Sequence, residues 1–177
     1  MTAVPDWLEG FEPLPGQPVS VDPLAFPGYG EQRERAAAKS GADESAVAGS
    51  ATAGGTPVSA CVFDFAYLGG SMGEATGARI SQAIDLAIER RIPYLSVTAS
   101  GGARMQEGMR ALVQMQRNAA GVERLREAGI PHLAVARHPT TGGVWASLAS
   151  NADVVIAEAG ATVAFAGGRV RGGSDDE

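Results

Sequence analysis

One short arrangement occurs three times in this sequence: an apolar strand, a turn with two adjacent glycines, and a helix. The clearest copy is TASGGARMQEG at residues 98–108, which follows a predicted strand at residues 94–97 and leads into a predicted helix over residues 104–126. Glycine has no Cβ, so the backbone at Gly101 and Gly102 bends sharply and lets a ligand oxygen approach the amides. The chain is therefore predicted to repeat one strand–turn–helix unit.

Two further copies also place a glycine pair between a strand and a helix. Gly142–Gly143 lies between predicted elements at residues 132–136 and 144–150, and Gly69–Gly70 lies between residues 58–65 and about 72–90. Amides at the start of a helix lack intrahelical partners, so such a turn can bind an anion or an oxyanion that forms only during a reaction. A single pair is more often a tight turn or a close packing contact. Three pairs in equivalent positions favour a function.

Nucleotide binding is a weaker interpretation of these glycines. No G-x-G-x-x-G directly follows a predicted strand, and no phosphate-binding loop with a lysine is present, because Lys39 is the only lysine and lies in another context. The net charge of −6 argues against nucleic acid as a main partner.

Five segments carry a strong resemblance to a known family. They are FPGY from residue 26, VFDFAYLGGSMGEATGARI from residue 62, TASGGARMQEG from residue 98, HPTTGGVWAS from residue 138 and IAEAGATVAFAGGRV from residue 156. In this order, across about residues 22–170, they resemble the acyl-CoA carboxyltransferases, and in particular the β subunit of the acetyl-CoA carboxylase carboxyltransferase. An ordered set of this kind is far more specific than a lone glycine motif.

The resemblance implies an α/β protein with a crotonase-like fold, a superhelix of repeated ββα units. It also implies transfer of a carboxyl group from carboxybiotin to acetyl-CoA or another short acyl-CoA, with malonyl-CoA or a homologue as product. The carboxybiotin comes from a separate biotin carboxyl carrier protein, and an α-type carboxyltransferase subunit completes the active site. A non-catalytic scaffold subunit and a biotin-independent decarboxylase or hydratase of the crotonase type remain as alternatives.

By similarity, paired backbone amides stabilise the carbonyl oxygens that become negatively charged during transfer. The candidate catalytic residues are Gly101, Gly102, Gly142 and Gly143, and the candidate substrate-binding residues are Ala103, Arg104, Gly69 and Gly70. For Arg104, contact with a CoA phosphate and a surface role are the two alternatives. His132 is expected to pack within its strand, and His138 to be a solvated turn residue. Met105, Met109 and Met115 are expected in the core or on a partner surface.

The composition predicts a single cytoplasmic domain. Hydrophobic residues make up 45% of the 177 residues, without a run that approaches a membrane span and without a recognisable signal peptide. Cys61 is the only cysteine, so the chain has no internal disulfide and does not build the four-cysteine zinc ribbon that such β subunits usually carry. No metal is therefore expected.

Composition also predicts how the chain is divided. Residues 1–20 are proline-rich and are expected to form an extended arm, and residues 171–177 are expected to form a disordered tail. The resemblance implies that residues 21–170 between them form the carboxyltransferase-like domain. Within the domain, residues 31–39 are a helix candidate. Residues 41–56 are rich in Gly, Ala and Ser and are predicted to be a loop with one weak strand near Ala46.

Overall fold

The computed structural model describes residues 4–165, and its central feature is one mixed β-sheet. The strands are β1 (Leu8–Pro13), β2 (Ala46–Ala53), β3 (Thr56–Phe63), β4 (Tyr94–Ser100), β5 (His132–Thr141), β6 (Val154–Ala157) and β7 (Val163–Ala164). The α-helices are α1 (Tyr29–Ser40), α2 (Glu74–Arg90), α3 (Met109–Glu127) and α4 (Gly142–Ser147). Short 3₁₀ turns lie at Leu68–Gly70, Met105–Glu107 and Ala149–Asn151.

The first six strands follow their chain order across the sheet. β1, β2 and β3 pair antiparallel, whereas β3, β4, β5 and β6 pair in parallel. The short β7 pairs with the end of β5 at Thr140 and Thr141. Each parallel strand lies beside the next one in sequence, so the strand–turn–helix units stack side by side. The carboxyl ends of β3, β4 and β5 therefore meet at one end of the sheet.

A hydrophobic cluster covers each face of the sheet. On one face α2 and α3 direct apolar residues, among them Ile84 and Leu125, onto Phe63 and other strand side chains. On the other face alternate strand residues such as Val62 and Val97 pack together with side chains of β1. The helices thus cover one face of the sheet, and the turns that connect strands to helices lie together at one end of it.

The predicted strand–turn–helix units are present, with shifted boundaries. Helix α1 confirms the helix predicted at residues 31–39. Helix α3 begins only at Met109, because a 3₁₀ turn and Gly108, with φ of +53°, precede it. Residues 138–141, predicted to be a turn, instead extend β5, because Thr140 pairs with both β4 and β7.

The strand expected near Ala46 is present, but the prediction of a loop is wrong for half of residues 41–56, since β2 occupies eight of these sixteen residues. The small residues allow β1 to lie close against β2. A Cβ at Gly49 would come within 2.6 Å of the Glu12 carbonyl oxygen and of the Phe11 ring. A strand of small residues that pairs on both sides therefore replaces the expected loop.

The part of the predicted N-terminal arm that forms a strand belongs to the sheet. Strand β1 lies inside the predicted arm over residues 1–20, and it pairs with β2 as part of the sheet. The tail predicted at residues 171–177 lies outside the described residues, as do the last residues of the domain predicted over residues 21–170.

Candidate active site

The three predicted glycine pairs come together at the carboxyl ends of β3, β4 and β5. The Gly101 amide donates a hydrogen bond of 2.9 Å to the Gly69 carbonyl oxygen, which joins the first turn to the second. The second and third turns touch through their backbones, because a Cβ on Gly142 would lie only 3.1 Å from the Gly102 Cα. Residues that are far apart in sequence thus form one continuous backbone surface.

Four of these glycines are favoured by local geometry. Gly69, Gly70, Gly102 and Gly142 have φ values of +66°, +61°, +114° and +59°, a region that favours glycine. At Gly70 a Cβ would lie 1.9 Å from the Ala99 carbonyl oxygen, so a side chain cannot fit there. Gly101 lies outside the left-handed region, and a Cβ there would meet nothing closer than the Gly69 oxygen at 3.6 Å.

The Ala103 amide is a free hydrogen-bond donor beside the third turn. The Met72 amide donates to the Gly102 carbonyl oxygen at 2.8 Å, and the Arg104 amide donates to the Met72 carbonyl oxygen at 2.9 Å. In this bridge the Ala103 N–H points away from Met72, and it has no acceptor within residues 4–165. Its nitrogen lies 3.7 Å from the position of a Cβ on Gly143.

Such an arrangement provides backbone donors without competing side chains. The Gly143 amide lies in the first turn of α4, where amides have no intrahelical acceptor. Together with the Ala103 amide it supplies donors that are fixed before a ligand arrives. Fixed donors of this kind stabilise an oxygen that becomes negative in a transition state.

Both roles predicted for Arg104, a phosphate contact and a surface residue, are wrong, because its side chain is fully buried. The guanidinium forms ion pairs with Glu44 and, at 3.1 Å, with Glu107. It also donates to Ser20 Oγ at 2.6 Å and to the Ser71 carbonyl oxygen at 2.6 Å. Arg104 is therefore part of the protein interior directly behind the glycine turns.

The buried cluster around Arg104 has fixed charges. Burial alone would raise the pKa of Glu44, but the charge and hydrogen bonds of Arg104, with hydrogen bonds from Ser20 and Ser45, lower it to about 2. Burial alone would lower the pKa of Arg104, and Glu44 raises it instead. Burial raises the pKa of Tyr29, whose hydroxyl donates to Glu107 at 2.6 Å, to about 12. Glu44 and Arg104 therefore stay charged, and Tyr29 stays neutral, across the physiological range.

The two histidines lie in structural positions. His132 is buried, with Nε2 2.9 Å from Ser96 Oγ and its ring 4.8 Å from the ring of Tyr94. Burial lowers the pKa of His132 to about 4, so the ring is neutral at pH 7. His138 is exposed, and its Nδ1 accepts a hydrogen bond of 3.2 Å from the Thr162 amide. The packing role predicted for His132 is confirmed.

Methionines divide between the surface and the core. Met105 and Met109, at the turn that follows the second glycine pair, are 79% and 70% exposed. Met115 packs against the core, and a Cβ on Gly143 would come within 3.0 Å of its sulfur. Helix α3 thus packs against the third glycine turn through Met115, and the exposed Met105 and Met109 form an apolar surface beside the turns.

The described part of the chain offers neither a metal-binding cluster nor a membrane-spanning helix. Within residues 4–165, no three or more His, Cys, Asp or Glu side chains are grouped so that they could hold a metal ion. No helix among these residues has the length and apolar character needed to cross a membrane. Burial raises the pKa of the Cys61 thiol to about 12, so this cysteine is not a reactive thiolate.

Comparison with known proteins connects this geometry to one family. The model of the carboxyl transferase domain matches residues 15–171. The β subunit of the acetyl-coenzyme A carboxylase carboxyl transferase from Citrifermentans bemidjiense is 46% identical over 155 residues, which cover 86% of this chain and 55% of that protein. The chain spans about half the length of the curated relatives that it matches.

Solved structures agree with this result. Transcarboxylase 12S, a hexamer with bound methylmalonyl-coenzyme A, is 30% identical with a TM-score of 0.67, over 75% of this chain and 26% of that chain. A Pseudomonas malonate decarboxylase hetero-dimer is 28% identical with a TM-score of 0.65, over 78% of this chain and 66% of that chain. The predicted crotonase-like α/β fold is confirmed by these neighbours. The curated relatives are named as β subunits, and the malonate decarboxylase is a hetero-dimer.

Proposed function

Because the chain belongs to the carboxyl transferase domain family, we propose that it forms the β-type half of a carboxyltransferase active site. It transfers a carboxyl group from carboxybiotin to acetyl-CoA or another short acyl-CoA, and the product is malonyl-CoA or a homologue. The observation that carries this proposal is the contact between Gly101–Gly102 and Gly142–Gly143 beside the free amide of Ala103.

The chain contributes positioning and polarisation. The α-proton of the acyl-CoA would pass to the biotin nitrogen from which the carboxyl group departs, and the resulting enolate would take up that carboxyl group. While the proton leaves, negative charge develops on the thioester oxygen, and backbone N–H donors stabilise that charge. Removal of one such donor typically costs about 3 kcal/mol of transition-state stabilisation. Gly69 and Gly70 act indirectly, because the Gly69 carbonyl oxygen holds the Gly101 amide and fixes the second turn. Carboxybiotin, carried by a separate protein, supplies the carboxyl group.

A partner subunit completes the site in this proposal. The acetyl-CoA carboxylase relatives carry the name of a β subunit, and the malonate decarboxylase neighbour is a hetero-dimer. Beside the glycine turns, the exposed Met105 and Met109 offer an apolar surface that an α-type subunit would cover. We place the complex, together with a biotin carboxyl carrier protein, in the cytoplasm. Neither zinc nor another metal has a role in this proposal.

The reverse reaction gives a direct test. Decarboxylation of malonyl-CoA that depends on added biotin is measured with this chain, with and without a separately purified α-type subunit. Turnover only with both subunits supports a catalytic half-site. Complex formation without turnover contradicts the proposal and indicates a scaffold subunit.

A second candidate function is decarboxylation without biotin. The likeness to a malonate decarboxylase favours it, because stabilising a thioester oxyanion serves loss of a carboxyl group as well as its transfer. The same assay separates the two functions. Release of carbon dioxide from malonyl-CoA at an equal rate with and without biotin would indicate the decarboxylase.

A further inference from the structure

Resting on the function proposed above, we propose that Arg104 is a positioning residue, which fixes the backbone of Gly101, Gly102 and Ala103 so that the free Ala103 amide stays aligned for catalysis. Its side chain touches no part of the proposed ligand surface, since it is fully buried. It acts instead through the backbone that carries it.

First, Arg104 joins two of the glycine turns. Its backbone amide donates to the Met72 carbonyl oxygen at 2.9 Å, and its side chain donates through Nη2 to the Ser71 carbonyl oxygen at 2.6 Å and through Nε to Ser71 Oγ at 3.2 Å. Ser71 directly follows Gly69–Gly70. One residue thus fixes the second turn against the first through both its main chain and its side chain.

Second, the cluster anchors this pair of turns to distant parts of the chain. Arg104 Nη1 donates to Ser20 Oγ at 2.6 Å and to Tyr29 Oη at 3.2 Å, and Nη2 bonds Glu44. These partners lie 60 to 84 residues away in sequence. The position of the Ala103 amide is therefore determined by the folded domain and not by the turn alone.

Third, Glu107 ties the same cluster to the start of α2. One of its oxygens accepts from Arg104 Nη1 at 3.1 Å, and the other accepts from the Glu74 amide at 2.6 Å. Gly73 permits this approach, because a Cβ there would lie 2.4 Å from the Glu107 carboxylate. The Glu107 carboxylate thus links the start of α2 to the segment that precedes α3.

The chemistry of the cluster requires arginine. A guanidinium presents five N–H donors in a rigid planar fork, whereas a lysine ammonium offers three donors on a flexible stem. Buried ion pairs contribute little net stability when compared with apolar replacements, because taking two carboxylates and a cation out of water is costly. Geometric specificity is thus the better reason for two buried glutamates to surround Arg104.

Arg104→Lys tests the proposal, with Arg110→Lys as the matched control. Arg110 forms an ion pair with Glu74 in which both side chains are about half exposed. Biotin-dependent turnover with the α-type subunit and hydrogen–deuterium exchange of the amides from Gly101 to Arg104 are both measured. For Arg104→Lys we expect kcat to fall by about 100-fold, KM for the acyl-CoA to stay within about threefold, and amide exchange in this segment to rise. The control should match the wild type in every measurement.

Wild-type kcat and wild-type exchange in a folded Arg104→Lys would overturn the proposal. If that variant does not fold, Ser71→Ala tests the positioning role instead, because it removes only the hydroxyl that accepts a hydrogen bond from Arg104 Nε. We expect faster exchange at the Gly101–Arg104 amides and a fall in kcat of about 10-fold; unchanged values refute the positioning role. The exchange measurement needs no turnover. An inactive wild type would therefore count against the proposed function, while the exchange measurement would still test the positioning role of Arg104.

Discussion

Replacing Gly142 with alanine tests whether the contact between the second and third glycine turns matters for turnover. Gly142 has φ of +59°, and its new Cβ would lie 3.1 Å from the Gly102 Cα and 3.5 Å from the Gly101 carbonyl oxygen. A contact of 3.1 Å requires the neighbour to give by a few tenths of an ångström. Because that neighbour is backbone, the two turns must move apart.

Two energies decide the expected result. A non-glycine residue in the left-handed region costs about 1–2 kcal/mol, which a domain with roughly 5–15 kcal/mol of stability tolerates. The Gly142→Ala variant should therefore fold. A displaced oxyanion donor affects the rate far more, since complete loss of one donor lowers kcat by about 10²–10³-fold. We expect a fall in kcat of about 100-fold with a loss of about 1–2 kcal/mol in the free energy of unfolding.

Gly129→Ala is the matched control. Gly129 also has a left-handed φ, of +68°, but a Cβ there would meet nothing within 4 Å. It follows α3 and precedes β5, at the end of the sheet opposite to the glycine turns. Urea titration should give similar losses of stability for both variants, and the biotin-dependent assay should show a large loss of kcat only for Gly142→Ala. Equal kcat values for the two variants would refute the role of this contact.

Three further predictions use other parts of the molecule. Because burial lowers the pKa of His132 from 6.5 to about 4, the unfolded chain binds more protons than the folded one between these values, and stability should fall by about 3 kcal/mol from pH 6.5 to pH 4. Urea titrations across this range should show a shallower slope for His132→Gln, and an unchanged slope would contradict the assignment. Gly70→Ala should lose about 3 kcal/mol or more, because its Cβ would lie 1.9 Å from the Ala99 carbonyl oxygen; a thermal midpoint equal to that of the wild type would disprove this. Cys61 is buried with a raised pKa, so a thiol reagent at pH 8 should modify it only in denaturant, and rapid labelling of the native chain would show that β3 opens.

The strand–turn–helix units could be predicted from the sequence because their signals are local. Apolar residues followed by two glycines and an amphipathic segment lie within about 30 residues of one another in every copy. That three such turns meet follows from the parallel order of β3, β4 and β5, which places successive carboxyl ends together. The repeat was therefore enough to predict where three glycine pairs lie in the fold, namely Gly69–Gly70, Gly101–Gly102 and Gly142–Gly143.

Strand β2 shows what local signals leave out. Its sequence, AVAGSATA, has few large apolar residues and reads as a loop. It is a strand because β1 and β3 pair with it on both sides, and Gly49 allows the close approach of Phe11. Strand β1 comes from a proline-rich segment more than 30 residues earlier in the chain. The local sequence of β2 therefore does not reveal that this partner exists.

The role of Arg104 could not be predicted for a similar reason. An arginine next to a glycine turn resembles a phosphate ligand when only its neighbours in sequence are considered. Its true partners Ser20, Tyr29 and Glu44 come from segments whose sequences carry no motif that links them to it. Only the folded chain shows that the charge of Arg104 is already neutralised by buried carboxylates.

The fixed charges of this cluster explain why the glycine turns matter. An efficient general acid or base needs a pKa near the working pH. The pKa of Glu44 is about 2 and that of Tyr29 about 12, so neither residue exchanges a proton near pH 7. Glu44 and Tyr29 are therefore structural residues, and in the proposed function the groups that act on a reacting oxygen are the amides of Ala103 and Gly143. The catalytic contribution proposed for this chain accordingly depends on backbone geometry, which is why glycine and a buried arginine occur together at this site.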